Sequence, residues 1–200
     1  PREHRQRAAD VRRVLPDPPA HRGEGLGWRG GDGEWETGDF VLIRYHGGPC
    51  TPIEAALELW SGRHALISFA YPQQIDLVAK HAHSFAMDNG AFTAWLQGDK
   101  PDWDEYVKWI AEYCQHPGFD HALIPDVIDG DEKANDELLL WWRNQDLATE
   151  GVPVWHMHES LERLDRLIAK GYKTVALGSS GEYSQPATHR WWCRMSEAME

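Results

Sequence analysis

The sequence predicts an α/β fold built on a parallel sheet, of the (β/α)8 TIM-barrel type. Three observations carry that prediction. Short apolar runs alternate with helix-period stretches in six successive units spaced by about 27 residues, the rhythm of strands joined by helical crossovers. Polar side chains follow these apolar runs: His46, Ser68, Asp88, Asp126, His156 with His158, and Ser179 with Ser180. A barrel places its working residues there, beyond the C-terminal ends of several strands. The competing doubly wound sheet advertises a Gly-rich phosphate loop after its first strand, and His46-Gly47-Gly48-Pro49 matches that loop poorly. The units present are two short of a closed barrel, so the C-terminal units are expected to lie outside this sequence, or the sheet to close imperfectly.

Residues 1–38 are rich in Arg, Pro and Gly, and a disordered or irregular extension is expected there, ahead of a partial barrel domain over 39–200. The start at Pro1 rather than Met is expected of a fragment or a processed product. Phe40–Tyr45 reads as the first strand. Thr51-Pro52-Ile53-Glu54 then reads as an N-cap, a Pro in the first turn and a capping-box Glu, opening a helix that ends near Gly62. Ala65–Phe69 is the second strand, followed by a helix from Pro72 to about His81. Phe85–Met87 is the third strand, a continuous apolar run suited to burial on both faces.

Asp102 caps a helix whose Tyr106, Trp109, Ile110 and Tyr113 fall on one stripe, and Pro117-Gly118 stops it. Ala122–Ile124 is the fourth strand, and the helix after it carries Leu138, Leu139, Trp141, Trp142 and Leu147. Val152–Trp155 is the fifth, with Leu161, Leu164, Leu167 and Ile168 on the next helix, closed by Gly171. Thr174–Leu177 is the sixth, and a helix containing Trp191, Trp192, Met195 and Met199 ends the chain.

Composition bounds the function classes. Hydrophobic content of 42% over 200 residues supports one sizeable core. There is no apolar run of membrane-spanning length and no secretory h-region, so no membrane partner and a cytoplasmic setting are expected. Cys50, Cys114 and Cys193 match neither a disulfide framework nor a zinc spacing and read as reduced thiols. The net charge of −12 removes the simple argument for nucleic-acid binding from a basic surface.

The stretch Ser84–Trp95 delivers Asp88 to the mouth of a buried strand, where it can also simply cap the next helix, and Asn89-Gly90 lets the backbone come close to a flat ligand. Asp88-Asn89-Gly90-Ala91-Phe92, Ile124-Pro125-Asp126 and Val175-Ala176-Leu177-Gly178-Ser179-Ser180 occur in that order, separated by strand-helix units. In these three stretches the sequence resembles the tRNA-guanine transglycosylase family, and more closely its phage-associated members thought to insert deazaguanines into DNA.

The resemblance implies a base-exchange pentosyltransferase of queuosine-like chemistry, with Asp88 acting in base exchange, Asp126 recognising the base, and Gly178, Ser179 and Ser180 forming a floor for the purine. Its partners would be a nucleic acid, DNA or tRNA, and a 7-deazapurine base, with a homodimer left open. His156-Met157-His158 stands where the family tends to place a base-reading Gln. The family's nucleophilic Asp and its zinc-binding Cys run, both late, are absent. The nucleophile is therefore expected beyond this chain, no cofactor is expected within it, and a structural zinc would require a further C-terminal region.

Exchange at a sugar C1′ passes through an oxocarbenium-like state and needs one carboxylate at the sugar and one to manage the base's proton. Asp88 is the candidate for the second role, its pKa expected to rise beside an apolar wall such as Phe92. Asp126 can accept two N–H groups of a purine edge, or cap the helix after Gly130; Asp129 and Asp131 read as helix N-terminal charges. Phe92 and Tyr183 can stack on a base or fill the core. Two other readings stay open: a metal-dependent hydrolase using His156 and His158, completed by His46, Asp88 and Asp126, and a purine-binding barrel without chemistry.

Overall fold

A computed structural model of the chain describes residues 43–200. The expected extension over 1–38 and the first half, 40–42, of the expected strand Phe40–Tyr45 lie outside the described residues.

Strands and helices alternate. β1 (Tyr45–Gly47), α1 (Ile53–Trp60), β2 (His64–Ser68), α2 (Ile75–His81) and β3 (Ser84–Asp88) come first, with a 3₁₀ turn at Pro72–Gln74 leading into α2. After β3 come α3 (Ala91–Gln97) and α4 (Trp103–Tyr113), then β4 (Phe119–Ala122), α5 (Glu132–Arg143), β5 (Val154–His156), α6 (Leu161–Ala169), β6 (Ala176–Gly178) and α7 (His189–Met199). These residues belong to the compact unit Val41–Glu200.

All paired strands are parallel and pair in chain order, β1-β2-β3-β4 in one ladder and β5-β6 in a second. A parallel bridge between Leu123 and Val152 joins the two ladders, with Ile124 N–H on Val152 O and Val152 N–H on Ala122 O, both at 2.8 Å. Pro125 and Pro153 flank that bridge, and because proline has no N–H to donate, regular pairing stops there. Sequential parallel order is what the sequence rhythm predicts. Among the described residues no pairing joins β6 back to β1, so the closed barrel expected from the sequence is not formed by them.

The helices cover one face of the sheet. Trp60, Val78, Tyr106, Ile110, Leu139, Trp142 and Leu167 pack with Ala65, Ile67, Phe85 and Met87 in one apolar core. Apolar burial of this kind contributes roughly 25 cal/mol per Å² and is the main force holding the helices to the sheet. Strand side chains alternate, so Ser68 and Asp88, which are register partners, lie on the opposite face from Ile67 and Met87. That second face carries the polar residues. Asp102 caps α4 by accepting from the Asp104 and Glu105 N–H groups, and Tyr106, Trp109 and Ile110 are buried along its stripe, as the sequence predicts.

Several local expectations are corrected. The first strand is shifted to Tyr45–Gly47, and α1 opens after Pro52 with no side-chain cap, so the expected capping box from Thr51 and Glu54 is not formed. The helix α3 was not anticipated between Asp88 and Asp102. Its short length and the glycines at both of its ends hide it from periodicity, and Gly90 and Gly98 take the left-handed conformation that stops a helix abruptly. Leu147 lies beyond the end of α5, and Ile168 on α6 is exposed.

Candidate functional site

A hollow of about 250 Å³ opens at the C-terminal ends of β3, β4, β5 and β6. It falls just under the span of about 300–1,000 Å³ that holds drug-sized ligands, so it suits a ligand of one or two fused rings. Asp88, Asn89, Phe92, Asp126, His156, Gly178 and Ser179 all line it, with Leu123, Ile128, Val154, Ala176 and Leu177 supplying apolar wall. Carboxylates 38 positions apart in sequence numbering thus share one space.

The register explains which side chains arrive. Ser68 pairs with Asp88, and His156 pairs with Gly178, so the pocket-facing residues of neighbouring strands come side by side. His46 pairs with Ala65, a core residue, and so falls on the face toward the helices; its carbonyl accepts from Trp60 Nε1. Gly178 packs closely against its neighbour strand: a Cβ there would lie 3.0 Å from His156 Nδ1 and 3.3 Å from Val154 Cγ1.

Burial holds the Asp88 carboxyl above its usual range, and the negative charge of Asp126 adds to that rise. The neighbouring Ser68 hydroxyl and the Gly90 N–H, which donates to Asp88 Oδ2 at 3.1 Å, pull the other way. Asp88 is therefore a carboxyl poised to hold a proton longer than an exposed one. It does not cap α3; that position belongs to Gly90, and Asn89 Oδ1 accepts from Ala91 N–H at 2.9 Å.

Asp126 is buried and held by Asn89, with His156 beside it. Asn89 Nδ2 donates to Asp126 Oδ1 at 2.6 Å and to Ile124 O at 2.8 Å. His156 Nε2 comes within 2.8 Å of Asp126 Oδ2. The approach does not make an N–H bond, however, and among the described residues the buried Nε2 has no hydrogen-bond partner. That leaves an imidazole nitrogen without a hydrogen bond among the described residues, in the wall of the hollow. Asp126 does not cap the following helix; Asp131 does, accepting from Ala134 N–H at 2.8 Å, and Asp129 is exposed.

Three expected binding residues stand off the lining. His158 is exposed, stacks on His156 with ring centroids 5.7 Å apart, and places Nδ1 2.7 Å from Ser180 Oγ. Ser180 is buried by that contact and by its hydroxyl on Gly178 O. Gly90 backs the site instead of lining it, close against Ala70. Ser179 does line the hollow, with its hydroxyl accepting from Trp191 Nε1 at 2.8 Å. Phe92 lines it with more than half of its surface exposed, whereas Tyr183 packs under the Arg194 guanidinium, away from the site. Among the described residues no three His, Cys, Asp or Glu side chains converge as a metal site.

Sequence reasoning missed the buried polar residues Asn135, Glu159 and Arg163 behind the hollow. Asn135 shares a helical stripe with Leu138, Leu139 and Trp142, and Arg163 shares one with Leu164 and Leu167. A polar residue within an apolar stripe was the readable signal.

Among the described residues no helix is long and apolar enough to cross a membrane. Compared with protein-family models, curated proteins and solved structures, the chain matches none.

Proposed function

We propose that the hollow binds a guanine-type base and serves the base side of a transglycosylase that exchanges guanine in nucleic acid for a 7-deazaguanine. The observation that carries this reading is the convergence of Asp88 and Asp126 on one base-sized space, one carboxyl held toward its protonated form and the other held by Asn89 beside His156. Asp126 presents its remaining lone pairs to the donor edge of the purine, and Gly178 lets the ring lie close to the backbone. The same reading makes the sequential parallel strands part of a (β/α)8 barrel, whose sites sit at the C-terminal strand ends.

In the first half of the exchange the C1′–N9 bond breaks, its electron pair stays on N9, and the Asp88 proton neutralises the departing base. In the second half the incoming 7-deazaguanine gives its N9 proton back to Asp88 as the new C1′–N bond forms. The carboxylate that meets C1′ is a separate group, which this reading assigns to a unit outside residues 43–200. A nucleic-acid base inside a duplex must leave the stack to reach the hollow.

Equilibrium dialysis of the full chain with radiolabelled guanine tests the reading. Saturable guanine binding is expected, with adenine competing at least about tenfold more weakly, because its amino group presents a donor where guanine presents O6 and it lacks the N1–H and N2–H donors. Absence of guanine binding, or guanine binding unchanged in Asp126→Asn, overturns it.

A further inference from the structure

Behind the hollow lies a buried ionic cluster with no part in the exchange steps above. Glu159 follows β5 and is 4% exposed; Arg163 on α6 is 1% exposed and Asn135 on α5 2%. Glu159 Oε2 accepts from His156 N–H at 2.8 Å and from Arg163 Nη1 at 2.5 Å, and its Oε1 accepts from Asn135 Nδ2 at 2.9 Å. Asn135 Oδ1 accepts in turn from Val127 N–H at 2.7 Å. Val127 is the residue after Asp126. Arg163 completes the cluster by donating to Val154 O at 2.9 Å and to Asp136 Oδ1 at 3.3 Å.

One carboxylate therefore grips the backbone of His156 and, through a single amide, the loop that carries Asp126. A buried ion pair is a poor way to gain stability, since desolvation offsets most of its attraction. Its gain lies in geometry. We propose that Glu159 is a positioning residue that sets the separation of Asp126 and His156, and thereby the grip and selectivity of the hollow for a purine. This inference rests on the purine reading of the site.

The donor pattern supplies the test. Every side-chain and backbone group that meets the Glu159 carboxylate is a donor, so a Gln there must turn its own amide against either Asn135 or the His156–Arg163 side. Glu159→Gln is expected to weaken guanine binding by about tenfold to a hundredfold. The double variant E159Q/N135D reverses donor and acceptor across the same contact, gives up the 3.3 Å bond from Asn135 Nδ2 to Val127 O, and is expected to bind guanine at least about threefold more tightly than E159Q alone. In a His156→Ala background, E159Q is expected to cost less than it does in wild type, because the part of its effect carried by the His156 ring is already gone while the part carried by the Asp126 loop remains.

A loss of equal size with and without His156, or no restoration in the swapped pair, overturns the proposal. Ring-nitrogen NMR of His156 gives a ligand-free readout: one tautomer and rotamer in wild type, and averaged signals in E159Q. If wild-type protein binds no guanine, the purine reading falls and the positioning role is judged on the His156 ring alone; unchanged ring signals in E159Q then overturn it.

Discussion

Asn89 and Asp126, 37 residues apart in the chain, are joined by a 2.6 Å hydrogen bond in which the Asn89 amide donates to Oδ1. The residue after the candidate proton carrier thus holds the candidate base reader, and two strand ends become one site. Nothing in the spacing of the two motifs required that.

Removing this amide tests the connection. Asn89→Ala deletes the bonds to Asp126 and Ile124 O and leaves a buried carboxylate with one partner fewer. The expected loss is about 2–3 kcal/mol of stability by urea unfolding, together with loss of guanine binding. A variant as stable as wild type would show that the pair is not held as described.

Asp88 gives a pH signature. Its folded-state pKa is raised, chiefly by burial, so proton binding favours the folded form. Below the ordinary Asp range, about pH 4, both states carry the proton and the group costs nothing. As pH rises through the raised value the unfolded chain is already ionised, and folding must retain the proton or bury a charge, so stability falls. Asp88→Asn, which never ionises, is therefore expected to equal wild type in acid and to exceed it progressively toward neutral pH. Urea midpoints of both proteins across that window check it, and a constant difference would contradict the raised pKa.

The turn between Asp88 and α3 depends on a glycine. Gly90 has φ +75°, and an added Cβ would sit 2.8 Å from the Ala70 backbone nitrogen. Gly90→Ala is expected to cost about 1–2 kcal/mol for the left-handed backbone alone, and more because the neighbour is main chain. Thermal or urea unfolding reads the loss directly.

The histidines separate by role. His156 lines the hollow with a nitrogen unpaired among the described residues, whereas His158 is exposed and bonded to Ser180. His156→Ala is expected to weaken guanine binding by about tenfold or more, and His158→Ala by less than about threefold. Equal losses from both, measured by dialysis, would place the ligand on the outer ring as well.

Much of the site was legible because its signal is local. Asp88 and Asp126 each follow a short apolar run, and the turn residues after them stand out in the sequence. His46 and His158 looked equivalent to them, since each also follows an apolar run, yet one falls on the helical face and the other on the rim. Strand register and the bend of a loop decide such placements, and neither leaves a local trace. Glu159, Arg163 and Asn135 were illegible for a related reason: a buried charge is tolerated only with its partners, and those partners come from three different segments.

The amino-acid sequence alone determined the alternation of strands and helices, the apolar stripe of α4 and the delivery of carboxylates to strand ends, because periodicity reports which side of an element avoids water. Only the tertiary structure decided that Asp88, Asp126 and His156 share one hollow and that Glu159 braces it from behind. The partner of a buried polar atom is set by which strands lie side by side, a property of the whole sheet that no single stretch encodes.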